Sequence, residues 1–566
     1  MTLTILAEVL LAVLLGGAAI AAQTARRRRR LLAKLRSEWG AIAPISTLDD
    51  ERVDEAWSAL QATGIPETAV DARTWADLHL DSVFATLDHT RTGLGRQLLY
   101  WRLRSGIAWN ASPGMESLTS RFGADTPLRE RIGTQLTGAG RSLGYGLWTI
   151  TRPDQIRVRW WYRIFPLLTV LMIGCLAGSP FVPRLLIVCI ALAVANVTVR
   201  TAIAWQVPGL LAPIRQMGPL IRAAERLLTA TDPGGEGARS LADDVRRLRP
   251  LRRIAWWVSR DPLVSGEIVA SLWEYLNLLF LIDANAMLLS ADYLKTLGPA
   301  VSRVAAWVGD VDVALSVASL RAEPRQWCRP TWSDAPSTRG TAVWHPLVHE
   351  AVVNDIAIAP GHGTIITGAN MSGKSTYLRT VGIAALLART LDTCPATSWE
   401  GRAFRARSLI GRADDLSAGK SYYQVEADGV VQLLDESRQA QPTLFLLDEL
   451  LRGTNTIERL AAGEAVLNAL LVDGGNKTPH AVIVATHDGE LVSMLAELYT
   501  PMHFRETIGP EGLSFDYRCR AGPASTRTAI ALLESTGAPK EVIEAARARA
   551  KELDSAPSLS SQRPGA

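Results

Sequence analysis

The stretch Gly361–Thr376, GHGTIITGANMSGKST, constrains the fold more than any other part of the chain. A β-branched run, Thr364–Thr367, feeds a glycine-rich turn, and Lys374, Ser375 and Thr376 open a helical pattern. Gly368 and Gly373 frame the spacing G-x-x-x-x-G-K-S. That spacing turns successive backbone N–H groups, from Gly368 through Met371, Ser372 and Gly373 to Thr376, toward phosphate oxygens. It sets Lys374 against the β/γ oxygens and the Ser375 hydroxyl on Mg²⁺. Strand, loop and helix follow in the order a site for ATP or GTP requires. The plain alternative is a glycine-rich turn with an accidental Lys-Ser.

A chain of 566 residues implies several folded units. Hydrophobic residues make up 48% and mean hydropathy is +0.10, which points to membrane segments. The net charge of +4 neither implies nor excludes a nucleic-acid partner. The five cysteines have no ligand or redox spacing and fit a reducing compartment.

Leu3–Ala22 is apolar apart from Glu8 and a few small polar residues, and Arg26–Arg30 follows it. A secretory signal carries its basic residues first, so this order predicts a retained anchor of roughly the 20 residues a bilayer needs. Positive charge stays inside, which puts the N-terminus outside and residue 26 onward in the cytoplasm. The arginine run itself reads as a topology signal and a contact for anionic lipid, with DNA the alternative. Two further apolar runs, Phe165–Ala177 and Leu185–Val199, are joined by Gly178–Arg184 and flanked by Trp160, Trp161, Tyr162 and Arg200. They predict a transmembrane hairpin, against the alternative of a buried hairpin in a soluble core. One anchor and one hairpin make a multi-pass protein of the cytoplasmic membrane with its large segments inside.

The segments between read as helix. Asp77–Arg104 is amphipathic and broken around Thr90–Gly95; Met115–Thr149 and Gln206–Ala318 continue helical. His79 and His89 are expected to be ordinary, partly exposed histidines, and Asp283, Asp292, Asp310 and Asp312 are too scattered for a metal cage. Arg246–Arg253 is the best local candidate for a phosphate-backbone surface, with a solvated or lipid-facing helix as the alternative. Trp332–Gly340 reads as a turn-rich connection into the nucleotide domain, and the Ser/Pro-rich end from Ser555 as disordered.

Thr443–Leu447 is a buried-strand pattern ending in Asp448-Glu449. An aspartate there holds Mg²⁺, mostly through water, and the adjacent glutamate orients or deprotonates an attacking water. Ala481–Ala485 is a further strand, and His487 just beyond it is placed to sense the γ-phosphate. Thr454 and Asn455 lie close enough to Asp448-Glu449 to approach a nucleotide. The polar turn before the helix in Asp414–Asp428 carries Ser417, Gly419 and Ser421, suited to a nucleotide held by a second copy, which implies dimerisation.

At these residues the C-terminal part resembles the ATPase domain of the MutS DNA mismatch-repair family, a branch of the ABC-type P-loop ATPases. The matching stretches are TGANMSGKST (367–376), DDLSAGKSYYQVE (414–426), LFLLDELLRGTNT (444–456) and ATHDGEL (485–491). HFRE (503–506) and the stretch 515–539 look like a small membrane-associated subgroup. The resemblance implies an α/β P-loop ATPase domain (340–535) joined to an all-α lever and core (70–160 and 201–335). The anchor (1–30), the hairpin (161–200) and a C-terminal helix and tail (536–566) complete the expected layout. It also implies phosphate contacts from Asn370 and Lys374, Mg²⁺ on Ser375 and Asp448, Glu449 as general base, His487 as switch, and Ser421 acting in trans in a homodimer. Ala369 stands where proline is usual, and Asp488-Gly-Glu where an aromatic is commoner.

DNA binding, including mismatched DNA, comes with the family. Against it, no segment before residue 70 is expected to form a mismatch reader, and no Phe-x-Glu wedge is present there. A membrane-anchored mechanochemical ATPase acting on a lipid bilayer or an unidentified protein partner is the competing expectation.

Overall fold

The computed structural model describes residues 2–43, 52–61, 64–112, 114–148, 159–203, 207–232, 235–258, 267–369, 371–411, 422–452, 454–509, 512–523, 530, 533–534 and 537–555. The chain divides into two compact units: Met1–Ala69 with Phe84–Arg325, and Val70–Val83 with Gln326–Ala566.

The first unit is helical. Its longest helix, Ile282–Leu320, packs along Val207–Thr231, Gly235–Val258, Gly93–Ser105 and Met115–Ala124. The expected break near Thr90–Gly95 has a definite cause. Thr92 caps the helix Gly93–Ser105 by accepting from Gly95 N–H at 3.0 Å. Buried Asp312 in turn accepts from Arg91 N–H (2.9 Å), Thr92 N–H (2.8 Å) and the Thr92 hydroxyl (2.6 Å). Burial pushes its carboxyl up to about 6. A side chain at Gly95 would meet the Asp312 carboxylate at 2.2 Å, so this crossing requires glycine. Asp310 pairs with buried Arg102 at 2.8 Å. Asp310 and Asp312 of this long helix therefore join elements. Among the described residues no group of three or more His, Cys, Asp or Glu is placed to hold one. His89 departs from the expectation of a partly exposed side chain, because its ring is buried 3.3 Å from Glu323.

Two helical stretches in this unit, Trp160–Gly178 and Leu185–Ala202, are long and apolar enough to cross a membrane. Leu167, Val170, Ile187, Ile190 and Val194 point outward from them. The alternative of a hairpin buried in a soluble core therefore does not describe them. The N-terminal stretch lies within one continuous helix, Thr2–Glu38, whose far end is fixed by the bidentate ion pair of Arg36 and Glu130 (2.6 and 3.0 Å).

The second unit is mixed α/β. Its six-stranded sheet runs in the order 512–521, 499–509, 362–367, 481–485, 443–448 and 405–409, all parallel except the 512–521 edge. The central strands Ile365–Ile366, Leu444–Leu447 and Ala481–Ala485 are buried throughout, as a sheet covered on both faces demands. A second sheet takes in Thr331–Trp332, Thr338–Val343, Asn354–Ile358 and Ser398–Gly401. Strands thus occupy part of the stretch expected to be a connection, because Thr338–Gly340 pairs with Ile356–Ile358.

Residues 70–83, expected to open the helical core, belong to this unit. Buried Asp77 accepts hydrogen bonds from the Ser408 hydroxyl (2.7 Å), Ile410 N–H (2.9 Å) and Gly411 N–H (2.7 Å). Thr74 Oγ1 accepts from Ser408 N–H at 2.9 Å. The short helix Ala72–Asp77 thereby satisfies the end of the strand Arg405–Leu409, which stands at the edge of the described sheet.

Candidate functional site

Strand register builds the site. Asp448 pairs with Ala485, and Ala485 with Ile366, so three neighbouring parallel strands end level. The residues just past those ends, Gly368, Glu449 and His487, therefore meet at the carboxyl edge of the sheet, where open α/β sheets form their ligand crevice. Hydrogen bonds hold the level: Glu449 N–H donates to Ala485 O and Thr486 N–H to Ile366 O, both at 2.9 Å.

The loop after His362–Thr367 turns through Gly368 (φ 147°), Met371 (φ 67°) and Gly373 (φ 105°) before the 18-residue helix Lys374–Leu391. A Cβ at Gly368 would lie 3.0 Å from Phe504 O and from Ser372 Oγ, and one at Gly373 would lie 3.2 Å from Tyr517. Both positions need glycine for conformation and for room. Lys374 is buried, and its ammonium donates to Gly368 O and Ala369 O at 2.8 Å each. Burial pushes this amine below the ordinary lysine range, opposed by Asp448, Glu449 and Glu506. The Ser375 hydroxyl donates to Asp448 at 2.5 Å. Ser372 Oγ is buried without a hydrogen-bond partner among the described residues, whereas Met371 is 86% exposed at the loop tip. Thr376 follows in the first turn of the helix.

Opposite the loop, Glu449 is nearly buried and adopts φ 52°, a strained conformation for a side-chain-bearing residue. Its carboxylate lies 2.7 Å from His487 Nε2 and accepts from Arg452 at 2.6 Å. His487 Nε2 also lies 3.3 Å from the Lys374 ammonium. That nitrogen serves one partner at a time: protonated, it donates to Glu449; unprotonated, it accepts from Lys374. Burial, followed by the Lys374 charge, holds the imidazole below the ordinary histidine range, opposed by Glu449 and Asp448. Asp488 is clamped by Arg459 at 3.0 and 2.8 Å, which secures the turn after His487.

The structure therefore brings together Gly368, Met371, Ser372, Gly373, Lys374, Ser375, Thr376, Asp448, Glu449 and His487. Asn370 and Ser421, along with Ser417 and Gly419, lie outside the described residues. Asn455 caps the helix Thr456–Leu471 through Ile457 N–H at 2.9 Å, and Thr454 donates to Glu458 at 3.0 Å. Sequence reasoning missed three contributors. Arg452 stands one helical turn beyond Glu449, a spacing that was open to notice. Buried Glu506 comes from a distant strand, and buried Glu426 accepts from Leu451 N–H at 2.6 Å; they close the stretches HFRE and DDLSAGKSYYQVE without having been given a role. In the first unit, two arginines of the proposed phosphate-backbone face are engaged otherwise: Arg249 and Arg252 bind Glu225 at 3.0 and 2.9 Å.

Residues 364–554 match the family model described as MutS domain V. The matched region includes the loop, the Asp448-Glu449 pair and His487. The chain thus combines a MutS domain V homology region of mixed α/β architecture with an all-helical region and two membrane-length helices.

Proposed function

We propose that the chain is a membrane-anchored ATPase of the MutS-like, ABC-type P-loop class. Nucleotide-driven movement of its α/β unit would act on the membrane or on a protein partner, without mismatch reading. The observation that carries this reading is the meeting of Lys374, the Ser375–Asp448 pair and the Glu449–His487 pair at the level ends of three parallel strands. The surroundings suit a polyphosphate with Mg²⁺: a buried cation, a buried hydroxyl at Ser372 without a partner among the described residues, and the N-terminus of a long helix. The bound metal nucleotide supplies the electrophilic phosphorus and a leaving group whose charge is partly neutralised.

In this reading the loop N–H groups and Lys374 orient the phosphates. Ser375 and Asp448, paired here, would hold Mg²⁺. Glu449 aligns and deprotonates the attacking water. Arg452 holds one oxygen of that carboxylate, and His487 holds the other, so both fix the direction in which the base points. Ser421 of a second copy completes the site in a homodimer, with Asn370 adding a phosphate contact. The helical unit and the membrane hairpin are the levers that dimer closure would move.

The test is ATP binding and turnover by the full chain in liposomes. Lys374→Ala is expected to lose nucleotide binding. Glu449→Gln is expected to keep binding and lose roughly 10²-fold or more of turnover, the usual contribution of a positioned base. Full turnover by Glu449→Gln removes the base assignment. Mixing Lys374→Ala with Ser421→Ala chains is expected to restore part of the activity of either alone. Binding of the ATP-loaded Glu449→Gln protein to matched and mismatched duplexes across a salt series addresses the family's DNA role. A mismatch preference would overturn the membrane-partner reading.

A further inference from the structure

The helix Glu267–Phe280 ends at Leu281, and Ile282 starts the long helix with the axis turned by 62°. Leu281 is buried at φ 49°, so the break is built into the interior. Side chains of the membrane hairpin take up the carbonyls it frees. Asn196 donates to Leu279 O at 2.6 Å and Thr169 to Phe280 O at 2.8 Å. Asn285 donates to Thr169 Oγ1 at 2.8 Å and to Leu281 O at 2.9 Å. On the other side of the break, Asn277 accepts from Asp283 N–H at 2.9 Å and donates to its carboxylate at 2.7 Å.

These bonds fix a depth. Arg200, at the charged end of the hairpin, pairs with Glu274. Asn196 lies one turn earlier, about 6 Å further along the apolar helix, and Thr169 lies about 9 Å beyond Arg163 at 1.5 Å per residue. Glu274 is thus level with the charged end, while residues 279–281 sit deeper. Helix Glu267–Phe280 packs on both hairpin helices. Leu272, Tyr275 and Leu289 point away from the protein at 59%, 66% and 58% exposure, continuing the outward apolar surface of the hairpin. Tyr293 is also exposed. The long helix leaves by packing along Val207–Thr231 and Gly235–Val258, the elements by which the chain arrives. Entry and exit are on one side.

We propose that residues 271–293 form a shallow re-entrant wedge in the leaflet at the Arg163/Arg200 end of the hairpin. Acyl chains cover Leu289, and Leu272, Tyr275 and Tyr293 sit at the headgroup level. Interrupted backbone survives at membrane depth only where protein groups satisfy it, which Asn196, Thr169 and Asn285 do here. A depth of 6–9 Å is that of an interfacial apolar face, and tyrosine favours the interface. The wedge adds a membrane-embedded element to the two membrane-length helices, and it rests on their lying in the bilayer.

Two measurements on the full chain in liposomes test it. A lipid-soluble carbene photoprobe, mapped by mass spectrometry on the unmodified protein, is expected to mark 275–281 and 289–293 as well as 164–203. Adducts confined to 164–203 overturn the wedge. A nitroxide at Leu289→Cys, in a background without the native cysteines, is expected to keep collisions with oxygen and lose those with an aqueous nickel chelate. Ile187→Cys provides the lipid reference and Ser120→Cys the water reference. Nickel contact equal to Ser120→Cys places the segment in water, and loss of both reagents places it under protein; either result overturns the proposal. Nickel contact at Ile187→Cys removes the hairpin from the bilayer and the wedge with it, which separates that failure from failure of the wedge alone.

Discussion

Replacing Asp77 by alanine tests how the segment 70–83 is joined to the α/β unit. The carboxylate accepts from two backbone N–H groups, Ile410 and Gly411, and from the Ser408 hydroxyl, all at the end of the strand Arg405–Leu409. Alanine leaves two buried donors, the Ser408 hydroxyl and Ile410 N–H, without an acceptor, while Gly411 N–H is exposed. At about 1–2 kcal/mol for each buried donor, the loss is roughly 2–4 kcal/mol, a large share of the stability of one domain. For a unit of this size each kcal/mol corresponds to about 2–4 °C, so the unfolding midpoint should fall by on the order of 10 °C. The assay is thermal unfolding of the detergent-solubilised full chain, followed by tryptophan emission. Asp81→Ala is the control, because Asp81 is exposed and accepts from the Trp75 indole at 2.9 Å. A midpoint for Asp77→Ala no lower than that of Asp81→Ala would refute the reasoning. Segment 70–83 would then not be anchored by this carboxylate.

Three further outcomes are expected. Because burial depresses His487, the unfolded chain takes up a proton near pH 6.5 while the folded site resists it. Its contribution to stability is therefore complete above that pH and declines as pH falls. Turnover should show an acid limb below pH 6.5 that flattens in His487→Gln; an unchanged limb assigns it to another group. Arg452→Ala removes the 2.6 Å contact to Glu449 and should lower kcat with little change in nucleotide affinity, with partial rescue by lysine, all read in steady-state kinetics. A fall in affinity alone would contradict that role. Gly363→Ala drives a Cβ to 2.1 Å from the buried Tyr499 ring, whose hydroxyl donates to Leu467 O at 2.7 Å. Overpacking of about 1–3 kcal/mol should lower the melting midpoint by several degrees, and an unchanged midpoint would mean that the ring moves freely.

Much of the candidate site was legible because its parts are local. The strand at Ala481–Ala485 and the helix opening at Lys374 stand where the pattern put them. Apolar runs ending in a charged pair, and a glycine spacing before Lys-Ser, are features of consecutive residues. What escaped was non-local. Glu506 enters from another strand, Asp77 crosses from a distant segment, and the strand Thr338–Val343 was hidden in a polar, turn-like composition until pairing gave it a partner. The break at Leu281 carried no glycine or proline to announce it. Side chains on other helices satisfy it, and a reading of one segment at a time does not see them.

The sequence by itself determined the loop chemistry, the identity of the acidic pair and the two membrane-length runs, because each depends on residue type at short spacing. The tertiary structure alone decided that Lys374, Asp448, Glu449 and His487 face one another. Only strand order and register bring the ends of three separated strands to one level. It also decided which aspartates are joints between elements, since a carboxylate takes its role from the donors that folding delivers to it.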